Sequence, residues 1–184
     1  MPAAEAPMPS FVAFLRAVNV GGANVVRMAD LREAFAAAGF HQVTTFRQSG
    51  NVRFEAVGTP AVVQRKAQAA VTKLMKQDTA VMVRTRPQLR ALLKADPFGD
   101  LRKLGPDEAR LYVSFLGKVP DKALPKASPT GDLEFLGRRG KDVFSVGRRV
   151  RGHSGNPNAF VEKELGVRAT TRYWSVVEAM VELA

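Results

Sequence analysis

Blocks of alternating and helically spaced hydrophobic positions follow one another in a regular order through the first half of the chain. Four runs rich in β-branched and aromatic residues predict strands, at residues 11–18, 43–47, 51–55 and 80–85. Apolar residues at helical spacing predict helices over residues 28–38 and 60–76. The order β-α-β-β-α-β is that of the split βαβ, or ferredoxin-like, arrangement, in which two helices cover one face of a four-stranded antiparallel sheet.

The second half has a less regular pattern. Helices are predicted over residues 87–94, 158–165 and 173–183, with Gly166 ending the second and Thr171 as N-cap of the third. A strand is predicted at 111–116, a hairpin over 132–136 and 143–146 around a turn at 137–140, one helical turn within 120–128, and a polar loop over 96–108. This loose repetition of the first half leaves a degenerate duplication open, although the two halves share no residue-level repeat.

These patterns predict an α+β protein in three parts. A flexible tail is expected over residues 1–10 and a ferredoxin-like domain over 11–85. A second α+β domain packed against the first is expected over 86–184.

Composition narrows the classes of protein and site. Hydrophobic residues make up 46% of the 184, which is enough for a sizeable core. The absence of cysteine excludes disulfides and thiolate sites, and two histidines exclude a histidine-rich metal site, so neither a metal nor a cofactor is expected. The sequence has neither a secretory signal nor an apolar run of about 18 residues, so we expect a cytoplasmic protein without membrane contact.

Charge is the feature that changes this picture most. The formal net charge of +11 favours contact with phosphate, nucleic acid or another anionic surface. Near the predicted hairpin six cations accompany a single nearby carboxylate, Asp142, and form a candidate nucleic-acid-binding set: Arg138, Arg139, Lys141, Arg148, Arg149 and Arg151. The same charges also suit a solvated hairpin whose edge must not pair with another strand.

A second candidate site lies where the first predicted strand ends. Gly21 and Gly22 leave backbone amides exposed before a helix, and such amides can bind an anion. Further ligand-binding candidates are Arg16, Asn19, Ser49 and Asn51, which suit a phosphate or carboxylate if the strand register brings them level. The alternative is that Asn19, Ser49 and Asn51 hydrogen-bond to the backbone of their own turns and that Arg16 is a surface or interface charge.

Other motifs have weaker chemical signals. Arg172 either points into a cleft or follows the N-cap of the last helix as a structural residue. Ser154 lacks the surroundings of a nucleophile, so we interpret it as part of a polar loop or as a helix cap. Phe54 is expected in the core, which argues against an RNA-recognition sheet that stacks bases on exposed aromatic residues.

Several separated motifs resemble one bacterial family. They are FLRAVNVGG at residues 14–22, MADLR at 28–32, QSGNV at 48–52, LGV at 165–167 and TTRYW at 170–174. Together they are similar to the bacterial domain of unknown function family 1697, over nearly the whole chain from residue 11. The resemblance implies an α+β fold with ferredoxin-like parts and no agreed activity.

The sequence departs from the family pattern at two places. Members usually carry glycine where this chain has Ala17. They also tend to have a Gly-Arg-Ser-Lys-Leu-like segment where this chain reads Gly152-His153-Ser154-Gly155-Asn156. Without that arginine and lysine, the resemblance implies no charge-based role for this loop.

Three functions remain open from the sequence. The first is binding of an anionic partner, either nucleic acid or a phosphorylated small molecule. The second is a small enzyme acting on a phosphate- or carboxylate-bearing substrate at Arg16, Asn19, Ser49 and Asn51, although no general base accompanies them. The third is assembly, in which an exposed sheet face is buried against another copy to give a homo-oligomer.

Overall fold

The computed structural model describes residues 8–22 and 24–183. The chain divides after Pro87 into two compact units. The expected tail lies mostly at residues 1–7, outside the described residues, and strand structure already begins at Ser10. None of the helices within the described ranges has the length and apolar character needed to cross a membrane.

The first unit has the ferredoxin-like order of elements predicted from the sequence. Its elements are β1 (Ser10–Leu15), α1 (Met28–Ala37), β2 (His41–Phe46), β3 (Asn51–Glu55), α2 (Pro60–Met75) and β4 (Val81–Thr85). The strands form one antiparallel sheet in the order β2-β3-β1-β4. This order places β1 and β3 side by side at the centre, as the split βαβ arrangement requires.

A hydrophobic core lies between this sheet and its helices. Alternate residues of β1, Phe11, Ala13 and Leu15, belong to the same buried cluster as Leu31 and Phe35 of α1. Phe54 of β3 lies in this cluster too, with its ring centroid 5.9 Å from that of Phe11 and 5.2 Å from that of Phe35. The expectation that Phe54 is a core residue is therefore confirmed.

The second unit repeats the strand order of the first. After α3 (Arg86–Ala95) and a 3₁₀ helix (Gly99–Lys103), its elements are β5 (Arg110–Leu116), β6 (Leu133–Arg139), β7 (Asp142–Gly147), α4 (Pro157–Leu165), β8 (Ala169–Tyr173) and α5 (Trp174–Glu182). The antiparallel sheet runs β6-β7-β5-β8, so its first strand again lies beside its third and fourth. Residues 117–132 contain no helix, although a helix links the first two strands of the other sheet.

Both faces of this second sheet are covered. On one face Leu116, Val143 and Ala169 form a buried cluster with Val161 and Leu165 of α4. On the other face, Phe98 lies edge-on to Phe144 of β7 and to Trp174 of α5, at centroid distances of 6.0 and 5.1 Å. Because the strand faces alternate, β5 supplies buried residues to both layers.

The C-terminal segment differs from the prediction. Thr171 is not the N-cap of the last helix, because it lies within β8, a strand that the sequence did not predict. Its hydroxyl is 2.7 Å from that of Ser114 in β5 and donates to Asn158 Oδ1 at 3.1 Å. The last helix begins at Trp174 without a side-chain cap.

Turns in the second unit also differ from the prediction. The hairpin reverses at Gly140-Lys141 rather than over 137–140, because β6 continues to Arg139, which pairs with Asp142. Gly137 lies inside β6, with a φ of 146°, where the register shifts against β7. The helical turn expected within residues 120–128 is absent, and Asn156, not Ser154, caps α4 by accepting from Ala159 N at 3.1 Å.

A substitution at Gly50 tests how closely the two central strands of the first unit approach each other. It has a φ of 71°, and a Cβ there would lie 2.8 Å from Leu15 Cβ. We expect Gly50→Ala to lose about 1–3 kcal/mol from backbone strain and a similar amount from overpacking, measured by urea denaturation. Gly22→Ala is the matched control, because its φ of 76° is similar but no atom lies within 4 Å of the added Cβ. Equal losses in the two variants would contradict the close approach.

Ala17 occupies a backbone conformation that favours glycine. Its φ is 52° and its side chain is exposed, and glycine adopts this conformation without the strain that a Cβ causes. We expect Ala17→Gly to stabilise the protein by about 0.5–1 kcal/mol, since the relieved strain exceeds the entropy that glycine adds to the unfolded chain. In the control Ala36→Gly, on the exposed side of helix α1, urea denaturation should show a loss of stability instead.

Candidate functional site

Asn19 holds together the turn that follows β1. Its Oδ1 accepts from Val26 N at 2.8 Å, and its Nδ2 donates to Val26 O at 3.0 Å and to Gln48 O at 2.7 Å. The side chain therefore ties this loop to the turn between β2 and β3. Gly21 and Gly22, with φ of 60° and 76°, are exposed in the same loop.

The structure brings three of the other predicted residues to the same end of the first sheet. Leu15 N donates to Gly50 O at 2.9 Å, so Arg16 follows at the level of Ser49. Asn51 is fully buried, and its Nδ2 donates to Phe46 O and to Ser49 Oγ, both at 3.0 Å. The register thus allows the predicted proximity, while Asn51 and Asn19 use their amides to stabilise turns.

Arg172 belongs to the second unit, where it lies in β8. It is partly buried, and its Nη1 donates to Thr170 Oγ1 at 2.8 Å and to Thr171 O at 2.9 Å. Burial lowers the pKa of Arg172 to about 10, which leaves the guanidinium charged at neutral pH. These contacts orient the side chain along its own strand.

The cations predicted to bind nucleic acid fall into two groups at opposite ends of β7. Arg138 and Arg139 end β6 and Lys141 lies in the turn, whereas Arg148, Arg149 and Arg151 follow β7. The six residues of β7 separate the groups by about 20 Å along the strand. The hairpin therefore does not carry one concentrated basic patch.

One of these groups lines a cavity of about 260 Å³ in the second unit, here called the arginine cavity. Arg148 and Arg149 form part of its wall, and Arg110 and Tyr112 of β5 form another part. Ser154 completes the polar lining, and Asp107 contributes its one carboxylate. Three arginines therefore line a space large enough for a small anion.

Strand pairing explains why these side chains meet. Arg110 is directly opposite Gly147, the last residue of β7, so Arg148 and Arg149 continue the chain beside it. After a tight turn in which Val150 and His153 exchange two backbone hydrogen bonds of 2.9 Å, the chain returns with Ser154. Arg110 and Tyr112 lie on one face of β5 because they are two residues apart.

Two glycines make the wall of the arginine cavity sterically possible. A Cβ at Gly147 would lie 2.8 Å from Tyr112 Cε2, and a Cβ at Gly155 would lie 2.6 Å from Leu133 Cγ. The Tyr112 ring therefore packs directly on the backbone of β7. A larger side chain at position 155, such as that of lysine, does not fit unless Leu133 moves.

The arginine cavity is positive and rich in donors. Arg148 donates to Glu134 Oε2 at 2.8 Å, and this ion pair offsets one of the positive charges of the cavity. Arg149 is exposed, and within residues 8–22 and 24–183 it has no carboxylate partner. Burial, reinforced by Tyr173, raises the pKa of Tyr112 to about 12, so its phenol stays protonated at neutral pH and can donate to an anion.

The sequence identified only part of this site. Arg148 and Arg149 were among the predicted cations, but Arg110, Tyr112 and Ser154 were not predicted to join them. The available signal was the spacing of Arg110 and Tyr112, which places an arginine and a tyrosine on one face of a predicted strand. That signal does not show which distant residues that face meets.

Comparisons with known proteins agree with the fold. The structure of a conserved bacterial protein from Streptococcus pneumoniae, SP0830, is similar with a TM-score of 0.66 and 19% sequence identity. The alignment covers 96% of this chain and 98% of that one. Among curated proteins there is no match.

A family model agrees with the resemblance of the motifs. The model described as "Protein of unknown function (DUF1697)" matches residues 8–144. The match includes Arg110 and Tyr112 but ends before Arg148, so only one wall of the arginine cavity lies within it. Because this match spans well over half of the sequence, the chain belongs to the DUF1697 family of proteins of unknown function.

Proposed function

We propose that this protein binds a small phosphate-bearing molecule in the arginine cavity. The observation that carries the proposal is the grouping of Arg110, Arg148 and Arg149 around one space of about 260 Å³. Guanidinium groups bind phosphate through pairs of parallel hydrogen bonds, which gives them geometric selectivity as well as charge. Tyr112 and Ser154 add hydroxyl groups for the remaining oxygens.

The size of the arginine cavity favours a small ligand over nucleic acid. Small-molecule pockets usually measure about 300–1,000 Å³, so this cavity suits an anionic group and a short part of its carrier. A nucleic acid would instead need cations spread along a continuous surface. The two basic groups separated by β7 offer no such surface, and Arg138 donates to the carbonyl of Gly140 within its own turn.

Binding is also better supported than catalysis. In this wall, Ser154 is the hydroxyl that would best serve as a nucleophile. Within the described ranges, however, it hydrogen-bonds to no histidine or carboxylate. A serine nucleophile needs such a base within hydrogen-bonding reach. The enzyme hypothesis placed its site at four residues, Arg16, Asn19, Ser49 and Asn51. Two of these, Asn19 and Asn51, use their side-chain amides to hold turns.

Arg149→Gln tests the proposed binding. We expect this variant to bind inorganic pyrophosphate about 10- to 100-fold more weakly by calorimetry, because charge-assisted hydrogen bonds are lost. Arg149 is the residue of choice because it is exposed and lacks an ion pair among the described residues, so its removal should leave stability nearly unchanged.

Arg139→Gln is the matched control, since it removes the same charge at the far end of β7. Its affinity for pyrophosphate should equal that of the wild type. Equal weakening in both variants, together with binding to duplex DNA that falls steeply as salt rises, would indicate a nonspecific polyanion surface and overturn the proposal.

A further inference from the structure

A larger cavity adjoins the arginine cavity, and we call it the aromatic cavity. It measures about 560 Å³, and its lining includes Tyr173 and Trp174 together with Leu104 and Leu111. Pro106 and Arg110 line both cavities, so the two spaces share a wall within the second unit. A ligand anchored at the arginines could therefore extend into the aromatic cavity.

Two of the three charged side chains that line the aromatic cavity, Arg102 and Glu178, form an ion pair, and the third is Arg110, which also lines the arginine cavity. Arg102 makes an ion pair with Glu178 at 2.6 Å, and its Nη1 is 3.7 Å from Asp96 Oδ1. Arg102 and Glu178 both line the cavity, so their charges offset each other there. Away from the wall that contains Arg110, the aromatic cavity therefore suits an uncharged group, in contrast to the arginine cavity.

A pair of tyrosines lies between the two spaces. Tyr112 and Tyr173 are directly opposite in the register of β5 and β8, and their rings stack with centroids 5.1 Å apart and planes at 28°. Tyr112 lines the arginine cavity and Tyr173 the aromatic one. Tyr173 is 45% exposed, so the ring retains surface on which a flat group can stack.

Trp174 has a polar group without a partner. The residue is 4% exposed, it lines the aromatic cavity, and its Nε1 has no hydrogen-bond partner among the described residues. A buried indole N–H usually finds an acceptor. A ring that carries nitrogen or oxygen atoms would supply that acceptor, whereas a purely hydrocarbon group would not.

We propose that the ligand is a phosphate monoester whose alcohol carries a flat heteroaromatic ring, as in a mononucleotide. The phosphate lies in the arginine cavity, and the ring lies against Tyr173 and Trp174 in the aromatic cavity. This inference rests on the proposed function and adds the chemical class of the group beyond the phosphate.

The test compares AMP with ribose 5-phosphate, which carries the same phosphate and sugar but no ring. On the full chain, we expect AMP to bind at least about 10-fold more tightly by calorimetry, since stacking of one base on an aromatic side chain has an effect of this order. Trp174 is the single tryptophan of the chain, so AMP should change its fluorescence and ribose 5-phosphate should not.

Variants at position 173 locate the ring. Tyr173→Leu should lower the affinity for AMP to that for ribose 5-phosphate and leave the affinity for ribose 5-phosphate unchanged. Tyr173→Phe should keep the affinity for AMP because it keeps the ring.

The variant Trp174→Phe should lower the affinity for AMP by a few-fold, because it retains an aromatic side chain and loses only the N–H donor. Arg149→Gln should lower the affinities for AMP and for ribose 5-phosphate by the same factor.

The outcomes separate this inference from the proposed function. Equal affinities of the wild type for AMP and ribose 5-phosphate would overturn the ring site and leave phosphate binding in place. An AMP preference that persists in Tyr173→Leu, without a change in tryptophan fluorescence, would also overturn it, since the ring would then lie elsewhere. If pyrophosphate, ribose 5-phosphate and AMP all fail to bind, the proposed function fails as well.

Discussion

The register of β5 between β7 and β8 is the constraint on which the second unit depends. It places Arg110 opposite Gly147 and Tyr112 opposite Tyr173. Because side chains alternate between faces, a slip of one residue would move Tyr112 to the opposite side of the sheet. The cavity walls, the stacked tyrosines and the hydroxyl pair of Ser114 and Thr171 all follow from this one alignment.

The two units use the same strand order for different purposes. In the first, helices pack on the sheet, and polar side chains at the strand ends satisfy backbone groups of the turns, as Asn19 and Asn51 do. In the second, the segment between the first two strands contains no helix, and the chain after β7 turns back in a tight loop beside β5. Polar side chains at the strand ends therefore stabilise turns in the first unit, whereas in the second unit they line a cavity.

Local patterns were sufficient to predict the strands and helices of the first unit, because each of these elements has its own hydrophobic period. They were insufficient for β8, whose sequence Ala-Thr-Thr-Arg-Tyr has a polar centre and lacks an alternating apolar face. Thr171 reads equally well as a helix N-cap or as a strand residue. Pairing with Ser114, 57 residues earlier in the chain, decides in favour of the strand.

The sequence by itself determined the α+β class, the ferredoxin-like order of the first unit, the family resemblance and the excess of positive charge, since these depend on composition and on spacing within short segments. The tertiary structure alone decided which cations share a space. Arg148 and Arg149 were expected to act with Arg138 and Arg139, which are nearby in sequence, yet the extended β7 separates the pairs, and strand pairing joins Arg149 instead to Arg110. Distance along a chain does not fix distance across a sheet, because the register is set by the packing of whole faces.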